Sequence, residues 1–190
     1  MQRGFKTQAE RLSCQLRAEM GLSAHSPLPG KQLIAHLKVL LIEPADVPGI
    51  GVELLREVLD GSSERWSAIT FYDKTGQAVI IFNPRHAPSR QESDLMHEAA
   101  HILRKHPPAK IVRVGGFAMR SYDESQEEEA KWLGACLQIT RDGLLWAIRQ
   151  EMTTEAMAEF FGASEALVRF RRNTSGVDLQ MKRYRAYRKE

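Results

Sequence analysis

The sequence predicts an α+β fold, mostly helical, with one small β-sheet and a helical C-terminal segment. Apolar residues recur at spacings of three and four through most of the chain, the mark of helices with one buried face. Two runs rich in β-branched and aromatic residues, Ala68–Tyr72 and Ala78–Phe82, flank a turn-forming Asp73-Lys74-Thr75-Gly76-Gln77. With 43% hydrophobic and 27% charged residues over 190 positions, the chain can bury a core in one domain plus a small appendage.

Phe5, Ala9, Leu12, Leu16 and Met20 line one face of an N-terminal helix that should end near Gly21. His25-Ser26-Pro27-Leu28-Pro29-Gly30 reads as a connector, followed by a short helix through Leu33 and Leu37. The aliphatic run Val39 to Ile42 fits helix or strand. Val52, Leu55, Val58 and Leu59 suggest another short helix stopping at Gly61-Ser62-Ser63. The two β-rich runs form a hairpin, after which the chain breaks at Asn83-Pro84 and Ala87-Pro88. A helix should start at about Ser89, with Ser89 and Glu92 in the form of a capping box. Its apolar face is Leu95, Ala99, Ile102 and Leu103, and Pro107-Pro108 marks its end. Asp123 to Leu137 reads as a helix with an acidic start, packing through Ala130, Leu133 and Leu137. Two or three short helices should follow Arg141.

The N-terminus lacks the apolar stretch of a secretory signal, and no aliphatic run is long enough to span a bilayer. The expected location is therefore the cytoplasm, with no membrane partner. Cys14 and Cys136 are too few and too far apart for a disulfide scaffold, which fits a reducing compartment. The net charge of +3 names no partner, but Arg169, Arg171, Arg172, Lys182, Arg183, Arg185, Arg188 and Lys189 crowd the C-terminus.

His97-Glu98-Ala99-Ala100-His101 carries the chemistry. On a helix, two imidazoles four residues apart share a face about 6 Å apart along the axis, so both can reach one metal ion. Zinc suits neutral imidazole nitrogens, although the same ligands accept manganese or cobalt. Glu98 would stand outside the ligand set as general base, taking a proton from water and handing it to a leaving amine. A hydrolytic site needs a third protein ligand, and Glu124, Glu127, Glu128 and Glu129 offer one on the next strong helix. Glu127 is the first choice because it shares a face with Ala130, Lys131 and Gly134, small or flexible enough for close approach. Glu128 is the runner-up. Tyr122, His86 and His106 are candidate oxyanion stabilisers by proximity alone.

These residues resemble the ImmA/IrrE family of metallopeptidases, in which a His-Glu-x-x-His helix joins a downstream Glu-x-x-Ala helix at a zinc site. Here the motifs are His97 to His101 and Glu127-Glu128-Glu129-Ala130. Arg90, seven residues before the first histidine, and the opening Phe5 to Leu22 extend the resemblance over most of residues 5 to 145. Two departures stand out: Lys131, where many relatives carry Asn or Asp able to support a ligand histidine, and Leu137 to Arg141, which lacks the family's pair of leucines and proline. The resemblance implies a mostly helical, zincin-like metallopeptidase using Zn2+, cytoplasmic, with a protein substrate such as a helix-turn-helix transcriptional repressor.

The sequence from Thr154 to Arg172 has a spacing of its own: Ala158, Gly162 and Val168 stand where a helix-turn-helix places helix contact, turn and core residue. Ser164 could cap a second helix bearing Arg169, Arg171 and Arg172, side chains able to reach phosphates or base edges, although a helical hairpin packed on the core or docking an acidic substrate shows the same spacing and is the favoured reading. The expected division is a zinc metallopeptidase domain over 1–150 and a helix-turn-helix-like basic segment over 151–190. Three functions compete: a zinc endopeptidase, a DNA-binding regulator with a structural or vestigial metal site, and a non-catalytic metal-stabilised interaction protein. An intact Glu98 argues against the last.

Overall fold

The computed structural model describes residues 3–49, 51–53, 55–56, 66–107, 111–114, 117–120 and 123–187; at 111–114, 117–120 and 185 it describes the backbone alone. Helix α1 (Phe5–Glu19) buries Phe5, Ala9 and Leu16 of the predicted stripe, with Leu12 and Met20 partly buried, and adds Ser13 and Arg17. It stops because Gly21 takes a left-handed φ of 71° and lets the Leu22 amide donate back to the Arg17 carbonyl at 2.8 Å. Helix α2 (Gly30–His36) leads into strand β1 (Leu40–Ile42), which settles the ambiguous aliphatic run as a strand. The backbone is helical at 52–53 and 55–56; the rest of the helix expected there, with its stop at Gly61, lies outside the described residues.

Strands β2 (Ala68–Tyr72) and β3 (Ala78–Phe82) form the predicted antiparallel hairpin, with Thr70 opposite Ile80. The Asp73 carboxylate organises the turn by accepting from the amides of Thr75 and Gln77. Strand β1 pairs parallel to β3, giving the order β1-β3-β2. The central strand is apolar at every position and largely buried, as a strand covered on both faces must be. Strand β2 is left at an edge.

Helix α3 (Pro88–Leu103) starts with Pro88 in its first turn, where a missing N–H costs nothing. The expected capping box does not form: Ala87 is the cap residue, and Glu92 accepts instead from the Gly30 amide at 2.5 Å. The tertiary partner won because that amide, at the start of α2, had no intrahelical acceptor. Beyond α3 comes a second antiparallel pair, β4 (Ile111–Val114) with β5 (Phe117–Arg120), which the sequence reading left without an element. The signal was present in the sequence as β-branched residues before Gly115-Gly116, a dipeptide of the kind that joins hairpin strands. Helix α4 (Glu124–Gln138) is capped by Asp123, whose carboxylate accepts from the amides of Ser125 and Gln126. Helix α3 lies between the sheet and α4, and α1 packs on α4.

Four helices follow instead of two or three: α5 (Arg141–Arg149), α6 (Thr154–Phe161), α7 (Glu165–Ser175) and α8 (Val177–Tyr187). They gather a hydrophobic cluster of their own, beginning at Ile139 and including Leu144, Leu145, Phe161, Val168 and Met181. Helix α5 thus packs with the residues beyond 150. The main cluster joins α1, α2, the sheet, α3 and α4. Among the described residues, no helix is long and apolar enough to cross a membrane.

The turn expected between α6 and α7 forms as read: Ala158 and Val168 are buried, Gly162 has φ 59°, and Ser164 accepts from the Leu167 amide at 3.2 Å. The three arginines are engaged within the chain. Arg171 is fully buried, donating to the Ile139 carbonyl at 2.8 Å and to Glu10. It lies three residues after Val168, on the face that packs inward, where the end of α4 leaves a carbonyl to satisfy. Arg172 pairs with Asp178 at 2.8 Å, and Arg169 pairs with Glu165.

Candidate metal centre

On α3 the buried side consists of Leu95, Met96, Ala99 and Ala100, which puts His97 and His101 together at its margin. Both rings are partly covered, with side chains 28% and 19% exposed. Glu127 reaches them from the first turn of α4. That reach depends on Gly134, seven residues further along the same face. A Cβ there would lie 3.1 Å from the Met96 carbonyl oxygen and 3.2 Å from the His97 amide nitrogen, so a glycine lets the two backbones approach at the motif itself.

The Nε2 atoms of His97 and His101 are 3.1 Å apart. Glu127 places one carboxylate oxygen 3.3 Å from His97 Nε2 and the other 3.4 Å from His101 Nε2. One ligand atom from each of these residues lies within 4.8 Å of the others. Burial and the neighbouring His97 and His106 hold the His101 imidazole down at about 4, so it is neutral at pH 7. Two imidazole Nε2 atoms and a carboxylate converging on one point are a ligand set that fits a borderline divalent cation such as zinc.

Glu98 lies between the histidines in sequence and accepts from the Thr70 hydroxyl of edge strand β2 at 2.5 Å. Thr70 went unread in the sequence, because only the folded hairpin brings it beside the motif. Of the four candidate glutamates, the structure turns Glu127 to the histidines and leaves Glu124 and Glu128 exposed. Glu129 is buried and accepts from Arg104 at 3.0 Å. Lys131 is exposed, and its ammonium has no acceptor to offer an imidazole.

Two of the candidate oxyanion stabilisers, His86 and His106, have other partners. His86 is buried, 2.9 Å from Asp94 through Nδ1, and the Gln91 amide donates to its carbonyl, so this residue locks the loop before α3. His106 meets His101 Nδ1 at 3.0 Å, on the ring edge opposite Glu127. Tyr122 lies outside the described residues. Arg90 donates to the Ser67 hydroxyl at 3.3 Å, tying α3 to the residue before β2.

No curated protein matches the chain. A family model does: the peptidase M78 model, described as the IrrE N-terminal-like domain, matches residues 57–173, which include the whole His97 to Glu127 constellation and more than half of the chain. The zincin-like α+β arrangement agrees with that match, and a metal is implied by it together with the His-His-Glu cluster. The chain therefore belongs to the peptidase M78 family, the ImmA/IrrE group of metallopeptidases.

Proposed function

We propose that this protein is a zinc-dependent endopeptidase that hydrolyses peptide bonds of a cytoplasmic protein, with a helix-turn-helix transcriptional repressor as the favoured substrate. The observation that carries the reading is the convergence of His97, His101 and Glu127 on one point, with Glu98 on the same helix. The metal would be held by Nε2 of both histidines and by the Glu127 carboxylate; bound there, it would supply Lewis acidity to the scissile carbonyl and acidify water.

The chain's own residues would do the rest. Glu98 accepts a proton from the attacking water and delivers it to the leaving amine, work worth about 10²–10⁴-fold in rate. Thr70 steadies Glu98 by donating to Oε2, which limits the carboxylate's rotation. Strand β2, at the sheet edge beside Glu98, would receive an extended substrate as an added strand, fixing its backbone before cleavage. A repressor as substrate rests on the family resemblance. Duplex DNA as the partner gains no support from Arg171, which is buried against Glu10, or from Arg172, which is paired with Asp178.

The test is zinc content per chain together with cleavage of a co-expressed candidate repressor. The wild type should hold about one zinc, and His97→Ala and Glu127→Gln should lose it. Glu98→Gln should keep the metal and fail to cleave. A wild type that binds no zinc sinks the proposal, as does a Glu98→Gln variant that cleaves at the wild-type rate.

A further inference from the structure

The way α3 ends decides where His106 lies. Arg104 caps the helix and Lys105 takes a left-handed φ of 54°. The Lys105 amide then donates to the Ile102 carbonyl at 2.9 Å and the His106 amide to the His101 carbonyl at 3.0 Å. These are the two reversed bonds of a Schellman turn, which folds residue 106 back over residue 101. Apolar side chains usually make that contact. Here two histidines make it, with Nδ1 atoms 3.0 Å apart and ring planes at 73°.

Behind His106 stands a charged support. His106 Nε2 is 3.5 Å from Glu129 Oε2, and Arg104 donates to the same oxygen through Nε at 3.1 Å and its terminal nitrogen at 3.0 Å. The side chains of His106 and Glu129 are only 7% and 8% exposed, so water competes little for these contacts.

We propose that His106, backed by Glu129 and Arg104, is a positioning residue that fixes the tautomer of His101; this rests on the reading of His97, His101 and Glu127 as metal ligands. One arrangement of protons is consistent with it. A ligating nitrogen needs a lone pair, so Nε2 of His101, which faces His97 and Glu127, carries no proton. The neutral ring keeps its proton on Nδ1 and donates it to His106 Nδ1. His106 in turn carries its own proton on Nε2, directed at the Glu129 carboxylate, whose charge Arg104 balances. Imidazole free in water prefers the Nε2–H form, the wrong one for this site. Replacing the partner would therefore return the proton to the nitrogen the metal needs.

Two-bond proton–nitrogen correlation spectra of the metal-free protein read the tautomer directly, without any variant. The wild type should show His101 as the Nδ1–H form and His106→Leu should show Nε2–H. In chelator competition, His106→Leu should bind zinc about 10–100-fold more weakly than wild type. His106→Asn, whose amide oxygen can accept from His101 Nδ1, should recover most of that loss, a rescue that simple packing would not produce. An Nε2–H form of His101 in the metal-free wild type overturns the proposal, as does unchanged zinc affinity in His106→Leu. If the wild type binds no zinc yet shows the Nδ1–H form, the ligand reading fails and the tautomer assignment stands.

Discussion

At its C-terminal end α4 meets two guanidinium groups; at its N-terminal end it meets two imidazoles. Arg17 donates to the carbonyls of Leu137 at 2.8 Å and Gln138 at 3.4 Å, and Arg171 to that of Ile139 at 2.8 Å. Glu10 closes this cluster by accepting from Arg171 and from the Arg141 amide. Burial pulls the Arg17 guanidinium down to about 10, still charged at neutral pH and so still matched to the negative end of the helix. At the other end, the Nε2 atoms of two histidines and the oxygens of a carboxylate converge on one point. A buried cluster in which guanidinium donors face carbonyls and a carboxylate is cement. One in which metal-ligating atoms converge is suited to a cation.

Breaking the guanidinium end should have the larger effect. Arg171→Met leaves Glu10 and the Ile139 carbonyl short of a donor and is expected to cost about 3–5 kcal/mol in urea unfolding. Glu127→Gln, in metal-free protein, should cost less than about 1 kcal/mol, since it removes a partly exposed carboxylate from a set of acceptors. Equal losses at the two positions would erase the distinction.

The converging end should announce itself in acid. His101 is held at about 4 in the folded chain, against an ordinary value of 6.5. Between those values the unfolded chain binds the extra proton, so metal-free stability should be unaffected above pH 6.5 and fall as pH drops toward 4. The shift corresponds to about 3 kcal/mol at most. Urea midpoints measured on wild type and His101→Gln should run parallel above pH 6.5 and separate between pH 6.5 and 4, with wild type losing stability relative to the variant as the pH falls; curves parallel throughout would show that His101 is not the titrating group.

Joining the two helices at the motif is the next test. Gly134→Ala would put a methyl against the Met96 and His97 backbone, atoms that cannot rotate away. The expected cost is about 1–3 kcal/mol, accompanied by weaker zinc binding because Glu127 sits on the same face. A net gain, from alanine's helix preference of about 1 kcal/mol, would mean that α3 and α4 separate without resistance.

These differences also mark what the sequence could say. The convergence of His97, His101 and Glu127 was legible because they sit on two helices whose faces follow from residue spacing, with Gly134 flagging the close approach. The α2-to-β1 transition was not, because four aliphatic residues satisfy both periods. Glu92 misled for a related reason: a capping-box spacing is local, and the Gly30 amide that took its carboxylate is 62 residues away. Thr70 and His106 carried no local pattern; a strand edge and a helix-terminal turn brought them to the motif. Arg171 looked like its neighbours Arg169 and Arg172, since a run of charges does not say which one turns inward.

Arg169 supplies the smallest effect and the cleanest contrast with Arg171. Its side chain is 60% exposed and its partner Glu165 lies one turn back on the same helix. Such pairs stabilise by about 0.3–0.5 kcal/mol, so Arg169→Ala should leave the urea midpoint nearly unchanged. If α7 were a recognition helix, Arg169 would still be free to meet phosphate, and its loss should lower the slope of DNA affinity against salt by about one. The expected result is no such change, because the neighbours that would complete a basic reading face are already bound within the chain: Arg171 beneath α7 and Arg172 beside α8. A measurable slope that falls in Arg169→Ala would show that one exposed arginine suffices, and would separate the surface of α7 from the buried junction that holds it.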